Sequence, residues 1–399
     1  MTVKYRWLLP EGIEEILPAG ARRVERLRRD LLDLYGRWGY ELVMPPFIEF
    51  LDALLTGFGR DLELETFKLT DQLSGRLLGV RADMTPQVAR IDAHQLARAQ
   101  PNRLCYLGTV LRTRGDGFGG SRSPLQIGAE LYGHAGPESD IEIIALMLET
   151  LRLARVEGVH LDLGHVGLFR ALARHAGLDE RAEGELFDML QRKSVPDIRA
   201  WLDETGLDAA HGEHFLRLAS LNGGIEVLDA AGTALAGLGP EVGAALDALR
   251  RTAAVIARRY PGLPIHVDLA ELRGYHYHTG LVFAAYLPQF GSEVARGGRY
   301  DGIGSAFGRS RPATGFSADL KALLELGEGE LPAVAAIWAP AEDDAALEAR
   351  IAALRNAGER VIHALPGAED GGPRALGCDR VLVRRGSDWH IEDIGPVAG

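Results

Sequence analysis

Residues 272–283 read LRGYHYHTGLVF, with one arginine, two tyrosines and two histidines in a short run edged by glycines. Side chains of these types can ligate a metal, move a proton, grip a small polar ligand or line an ordinary half-buried strand. His276 and His278 stand two apart, so on a strand they would share a face and offer two metal ligands. No HExxH, carboxylate-plus-HxH or cysteine cluster supplies the rest of such a site, and packing is the better reading of the two histidines. A second chemical cluster is VRADMTPQVARIDAH at 80–94, where Arg81, Asp83 and Thr85 precede a helix expected to begin near Pro86. An acid and a hydroxyl at a helix entrance are usually caps, and they can also receive an ammonium group. A third is SPLQIGAELYG at 123–133. On a strand, Leu125, Ile127, Ala129 and Leu131 point one way, and Gln126, Gly128, Glu130 and Tyr132 the other. The second face is either the floor of a ligand site, with Gly128 leaving room, or an exposed strand face.

Together these segments supply Asp83, Thr85, Arg112, Gln126, Glu130 and Arg273. Carboxylates and an amide suit an ammonium and an imidazole, and arginines grip a carboxylate in a bidentate way. The set fits an amino-acid pocket. GDGFGG at 115–120 resembles a phosphate-binding loop only superficially. It lies between two strands, leads into no helix and has no GK[ST] after it, so a lid over the neighbouring sheet is the better reading.

The elements that must position these groups follow from periodicity. Val24, Leu27, Leu31, Leu34, Tyr35 and Trp38 recur at helical spacing, with Gly39 as a C-terminal cap. Arg22, Arg23, Arg26, Arg28 and Arg29 on the same helix read as a solvated face. YELVMPPFIEF reads as a strand ended by Pro45 and Pro46. Residues 103–113 and 123–133 read as an antiparallel pair, and the chain from Asp140 to Gly158 as a helix. Residues 166–260 read as a helical insertion. The stretch at 272–283 returns to strand character, and ARGGRYDGIGSAFGRSRPATGFSADLKALL reads as a glycine-rich loop leading to a strand and a helix. Residues 332–399 read as strand, helix, strand, strand, a small α/β domain.

Bulk properties narrow the function. The 399 residues carry a formal net charge of −12, which disfavours a nucleic-acid partner held by counterion displacement. The two cysteines, Cys105 and Cys378, form no CxxC and fit a reducing compartment. The first residues lack the apolar core of a signal peptide, and no run is long enough to span a bilayer. A cytoplasmic protein without membrane contact is expected.

At 9–18 (LPEGIEEILP), 80–90 (VRADMTPQVAR), 107–114 (LGTVLRTR), 124–133 (PLQIGAELYG), 272–280 (LRGYHYHTG), 297–304 (GGRYDGIG) and 313–320 (ATGFSADL) the chain resembles histidyl-tRNA synthetases, in order and over about its first 325 residues. It resembles still more closely their non-catalytic relatives, the regulatory subunits of ATP phosphoribosyltransferase. The resemblance implies an α+β fold of the class II aminoacyl-tRNA synthetase type. That is a mainly antiparallel sheet of six or seven strands flanked by helices, in a domain spanning 1–325 with the helical insertion at about 166–260, followed by the small α/β domain at 332–399. It implies a homodimer contact near Pro45.

It also implies a histidine pocket of Asp83, Thr85, Arg112, Gln126, Glu130, Arg273 and Tyr277, with His278 where a second tyrosine is usual. Two departures set the chain apart from the synthetases. Arg112 is followed by Thr113 and Arg114, without the glutamate that contacts adenine. Lys321 and Ala322 stand where a glutamate and the triphosphate-gripping arginine belong, and the C-terminal domain is short for anticodon binding. The implied role is a histidine-sensing subunit without cofactor, homodimeric within a hetero-oligomer. Its partner would be a short-form catalytic subunit that uses Mg²⁺ in the first step of histidine biosynthesis. An active histidyl-tRNA synthetase is the alternative, and it would need the missing arginine.

Overall fold

The computed structural model describes residues 7–57, 60–115, 120–275, 277–327, 335–367 and 372–395. The chain divides into two units, Met1–Glu328 and Gly329–Gly399.

The first helix, Pro18–Arg37, starts on a proline, whose fixed φ suits a first turn, and buries Leu27, Leu31, Leu34 and Tyr35 on one stripe. Gly39, at φ +81°, takes the left-handed position just past its end. The strand expected over 40–50 is split in two. Pro45 and Pro46 cannot donate to a ladder, so a two-residue strand β1 (Glu41–Leu42) and a separate β2 (Ile48–Phe50) lie on either side of them. Strands β3 (Phe67–Thr70) and β4 (Leu77–Val80) join β2 in a three-stranded antiparallel sheet.

The main sheet is built from β5 (Asn102–Thr109), β6 (Leu125–Tyr132), β7 (His160–His165) and β8 (Asn222–Gly223). To these it adds β9 (Ile265–Asp268), β10 (Leu281–Tyr286), β11 (Glu293–Arg299) and β12 (Ala313–Asp319). With β1 it has, among the described residues, nine strands in the order β1-β5-β6-β12-β11-β10-β7-β9-β8. The two beyond seven are the two-residue edge strands β1 and β8. Its pairs are antiparallel except β1 with β5 and β7 with β9. Between β7 and β9 runs a series of helices from Val166–His175 to Pro240–Arg259, interrupted only by β8. The helices Pro18–Arg37 and Pro137–Leu153 give their buried residues to one large apolar core with Ile127, Ala129 and Leu131 of β6. Glu130 and Gln126 alternate with those residues and so face away from that core.

Two readings of the sequence are corrected. The described residues of 272–280 form a turn ahead of β10. Gly274, at φ +67°, reverses the chain, and its carbonyl accepts from the amides of Tyr277 at 2.8 Å and His278 at 2.6 Å. His278 is therefore on no strand, and His276 lies outside the described residues. The run ARGGR, read as loop, is the body of β11. A Cβ at Gly297 would strike the Phe283 ring, and one at Gly298 would come 2.8 Å from Nδ1 of His278. These glycines admit side chains packed on the sheet and do not loosen it. The middle of the link read as a lid, residues 116–119, lies outside the described residues.

In the second unit, β13 (Ile337–Ala339), β14 (Val361–His363), β15 (Arg380–Arg385) and β16 (Asp388–Asp393) form a sheet in the order β14-β13-β15-β16. It packs with the helix Ala345–Asn356 around Ile337, Leu347, Ile351, Leu382 and Trp389. The hairpin strand β16 goes beyond the sequence reading, and Gly386, at φ +66°, supplies its turn.

Candidate functional site

The helix Thr85–Arg90 carries Pro86 in its first turn, and Asp83, two residues ahead of it, holds its first amide and reaches across. Its Oδ1 accepts from the backbone N–H of Thr85 at 3.0 Å and from Nε2 of Gln126 at 2.8 Å. Oε1 of Gln126 in turn accepts from the backbone N–H of Met84 at 2.9 Å. The amide thus locks the helix entrance to β6, and both of its ends are used.

Glu130, four residues on along the same face, is buried. It accepts from the hydroxyls of Thr85 and Tyr106, each at 3.0 Å, and from that of Tyr300. Burial pushes its carboxyl up to about 8, against the opposing pull of the Tyr300, Thr85 and Tyr106 hydroxyls. Glu130 is therefore mostly protonated at neutral pH. Gly128 makes this network possible, because a Cβ there would collide with the Tyr106 hydroxyl. The room left by that glycine is filled by the protein's own tyrosine.

Tyr277 stacks on Tyr300, with ring centroids 4.9 Å apart and planes at 21°, and meets His278 edge-on at 4.9 Å. His278 is held between Gly274 and Gly298. Burial pulls its imidazole down to about 4, so the ring is neutral. Arg273 is engaged by two carboxylates. Nε at 2.9 Å and Nη2 at 2.5 Å donate to Glu271, and Nη1 lies 3.3 Å from Glu293, which also pairs with Arg296 at 2.8 Å. Burial pushes the Glu293 carboxyl up, but a backbone hydrogen bond and the two arginines outweigh it and hold the group below its usual range.

Six of the eight residues singled out in the sequence line one cavity of about 300 Å³: Asp83, Thr85, Glu130, Arg273, Tyr277 and His278. Gln126 and Arg112 instead line a neighbouring cavity of about 730 Å³, which shares Glu293, Arg296 and Ser317 with the first. Arg112 donates through Nε to the Ala82 carbonyl at 3.4 Å and lies 4.0 Å from Glu65. Ala322 also lines this second cavity. Lys321 does not replace the lost arginine there, because its Nζ is paired with Glu14 at 2.7 Å.

The sequence reading missed Tyr106, Tyr300, Asp162, Glu271, Glu293 and Arg296. Strand register held the signal for Tyr106, which sits opposite Gly128 on the face that carries Glu130. Tyr300 lay inside the GGRYD run without a role. Asp162, Glu271 and Glu293 join Asp83 and Glu130 to bring five acidic side chains, Glu130 in its protonated form, and two arginines to the first cavity. Such a lining favours a ligand that carries a cationic group. Among the described residues, no three His, Cys, Asp or Glu side chains are placed to share a metal ion.

Comparison with known proteins places these features. Residues 12–323 match the family model of histidyl-tRNA synthetase, and residues 334–392 match that of the ATP phosphoribosyltransferase subunit HisZ C-terminal domain. An ATP phosphoribosyltransferase regulatory subunit of Thioalkalivibrio sulfidiphilus is 60% identical over 396 residues, covering 99% of this chain and 100% of the relative. One from Alkalilimnicola ehrlichii is 59% identical over 388 residues, covering 96% of each. Among solved structures, an ATP phosphoribosyltransferase regulatory subunit/histidyl-tRNA synthetase from Bacillus halodurans matches with a TM-score of 0.82 at 26% identity, over 96% of this chain and 99% of that one. Histidyl-tRNA synthetase from Nostoc matches at 0.77 and 17% identity, over 95% and 91%, a likeness of fold alone.

Proposed function

The chain belongs to the family of ATP phosphoribosyltransferase regulatory subunits, and from that membership we propose that it is the non-catalytic, histidine-sensing subunit of such an enzyme. Its partner is a short catalytic subunit that joins ATP to phosphoribosyl pyrophosphate with Mg²⁺, the first step of histidine biosynthesis. This chain supplies no catalytic group and needs no cofactor of its own. It works in the cytoplasm as a homodimer within a hetero-oligomer. Exposed Met44, Phe47, Ile48 and Phe50 around Pro45 support the homodimer, because they form an apolar surface on the small sheet's first strand and its approach.

The observation that carries the proposal is a kept amino-acid cavity beside an altered second one. In the first, Asp83, braced by Gln126, and Thr85 are grouped as an ammonium requires, Glu130 and Tyr277 offer polar partners to an imidazole, and Arg273 is in the lining for a carboxylate. In the second, Ala322 gives no charge to a triphosphate, and Lys321 is committed to Glu14. L-Histidine in the first cavity would shift the complex toward an inactive state through its different affinity for two states. By linkage, the substrates of the catalytic partner then weaken histidine binding by the same factor, typically about 5- to 150-fold.

Isothermal titration calorimetry of the purified chain tests this. L-Histidine should bind without ATP and Mg²⁺ binding, and Asp83→Ala or Glu130→Ala should remove the signal. Tight ATP binding, followed by pyrophosphate exchange once histidine is added, would replace the regulatory reading with aminoacyl-tRNA synthesis.

A further inference from the structure

The guanidinium of Arg273 is gripped unequally. Glu271 takes Nε and Nη2 side-on with both of its oxygens, the strong bidentate arrangement. The remaining edge, Nη1, is held by one oxygen of Glu293 at 3.3 Å, long for a charge-assisted bond. The other oxygen of Glu293 sits 2.8 Å from Nη1 of Arg296. Glu293 is therefore shared between two arginines and holds Arg296 the more closely. Glu293 and Arg296 line both cavities, whereas Arg273 lines only the first.

We propose that Glu293 is an internal stand-in for the ligand carboxylate: it holds Nη1 of Arg273, and an entering amino-acid carboxylate displaces it onto Arg296. The proposal rests on the reading of the first cavity as an amino-acid site. Displacement costs little, because the contact given up is the long one and Arg296 is already in place. Two like charges at one guanidinium edge would also repel, which drives Glu293 away once the ligand arrives. Two consequences follow. A ligand without a carboxylate leaves the Glu293–Arg273 contact closed, so Glu293 holds down the affinity for the whole amino acid and not for its amine. The displaced Glu293 also changes the surroundings of Arg296, which carries the occupancy of the first cavity to the wall of the second.

The test is calorimetry of the full chain, wild type and Glu293→Gln, with L-histidine and with histamine, the same imidazole and ammonium without the carboxylate. Glutamine keeps the shape and an acceptor for Arg296 but removes the competing charge. L-Histidine should bind Glu293→Gln roughly three- to tenfold more tightly than wild type, as expected when an occluded fraction is released. Histamine affinity should change less than twofold. Unchanged or weaker L-histidine binding in a variant that melts like wild type would overturn the proposal and leave the histidine reading standing. Equal shifts for both ligands would do the same. Failure of the wild type to bind L-histidine would overturn the histidine reading, and this proposal with it. Glu293→Ala, which removes the acceptor as well, should show the same selectivity for the carboxylate.

Discussion

Glu130 decides much of the chemistry of the cavity, because it is a carboxyl that burial keeps protonated up to about pH 8. Its folded value lies above its ordinary 4.5, so the stability tied to it is fully present below about 4.5 and is lost as the pH rises through about 8. Every tenfold change in proton affinity between the unfolded and folded chain corresponds to roughly 1.4 kcal/mol. Glu130→Gln should therefore be more stable than wild type at pH 9, by on the order of a few kcal/mol. The gap should close toward pH 5 in urea unfolding followed across the range. A gap that stays constant with pH would show that Glu130 is ionised in the fold at all these values. Asp83, Gln126 and Glu130 were legible in the sequence because alternation along one strand and a cap position place such groups together. Tyr106, Glu271 and Glu293 were not. Their roles arise where separate segments meet, and no local spacing records that meeting.

The strands hold the site through their glycines. Gly128 admits the ring of Tyr106, and a Cβ at Gly315 would strike the carboxylate of Glu130. Gly128→Ala should cost about 1–3 kcal/mol of stability through overpacking. It should also weaken L-histidine binding by tilting Tyr106 off Glu130, read by denaturant unfolding and by calorimetry. On the first helix, Leu31 is fully buried, and Leu31→Ala should cost about 2–5 kcal/mol without touching the ligand. That helix was plain in the sequence because its apolar stripe repeats over about four turns. The turn at 272–280 and the strand at 293–299 were misread for one physical reason. A glycine signals freedom of the backbone or closeness of a neighbour, and the sequence does not say which. Gly274 is the first kind, with φ at +67°, and Gly297 and Gly298 are the second.

At the scale of the whole molecule, the chain has two units, and every residue assigned to the cavities lies in Met1–Glu328. A chain ending at residue 327 should bind L-histidine with the affinity of the full protein. A loss of binding on truncation would show that the second unit shapes the cavity. The strand–helix pattern of both units was readable because it follows from periodicity, and the class of fold because ordered motifs resemble a known family. The count of nine strands was not, since β1 and β8 are two residues each and too short to leave a pattern. The most direct test of the account is the steady-state rate of a short ATP phosphoribosyltransferase catalytic subunit, assayed with and without this chain and with and without L-histidine. The expected result is a rate that depends on the chain, falls with L-histidine, and no longer responds to L-histidine when the chain carries Glu130→Ala. A rate indifferent to the chain, or one whose response to L-histidine survives Glu130→Ala, would contradict the account.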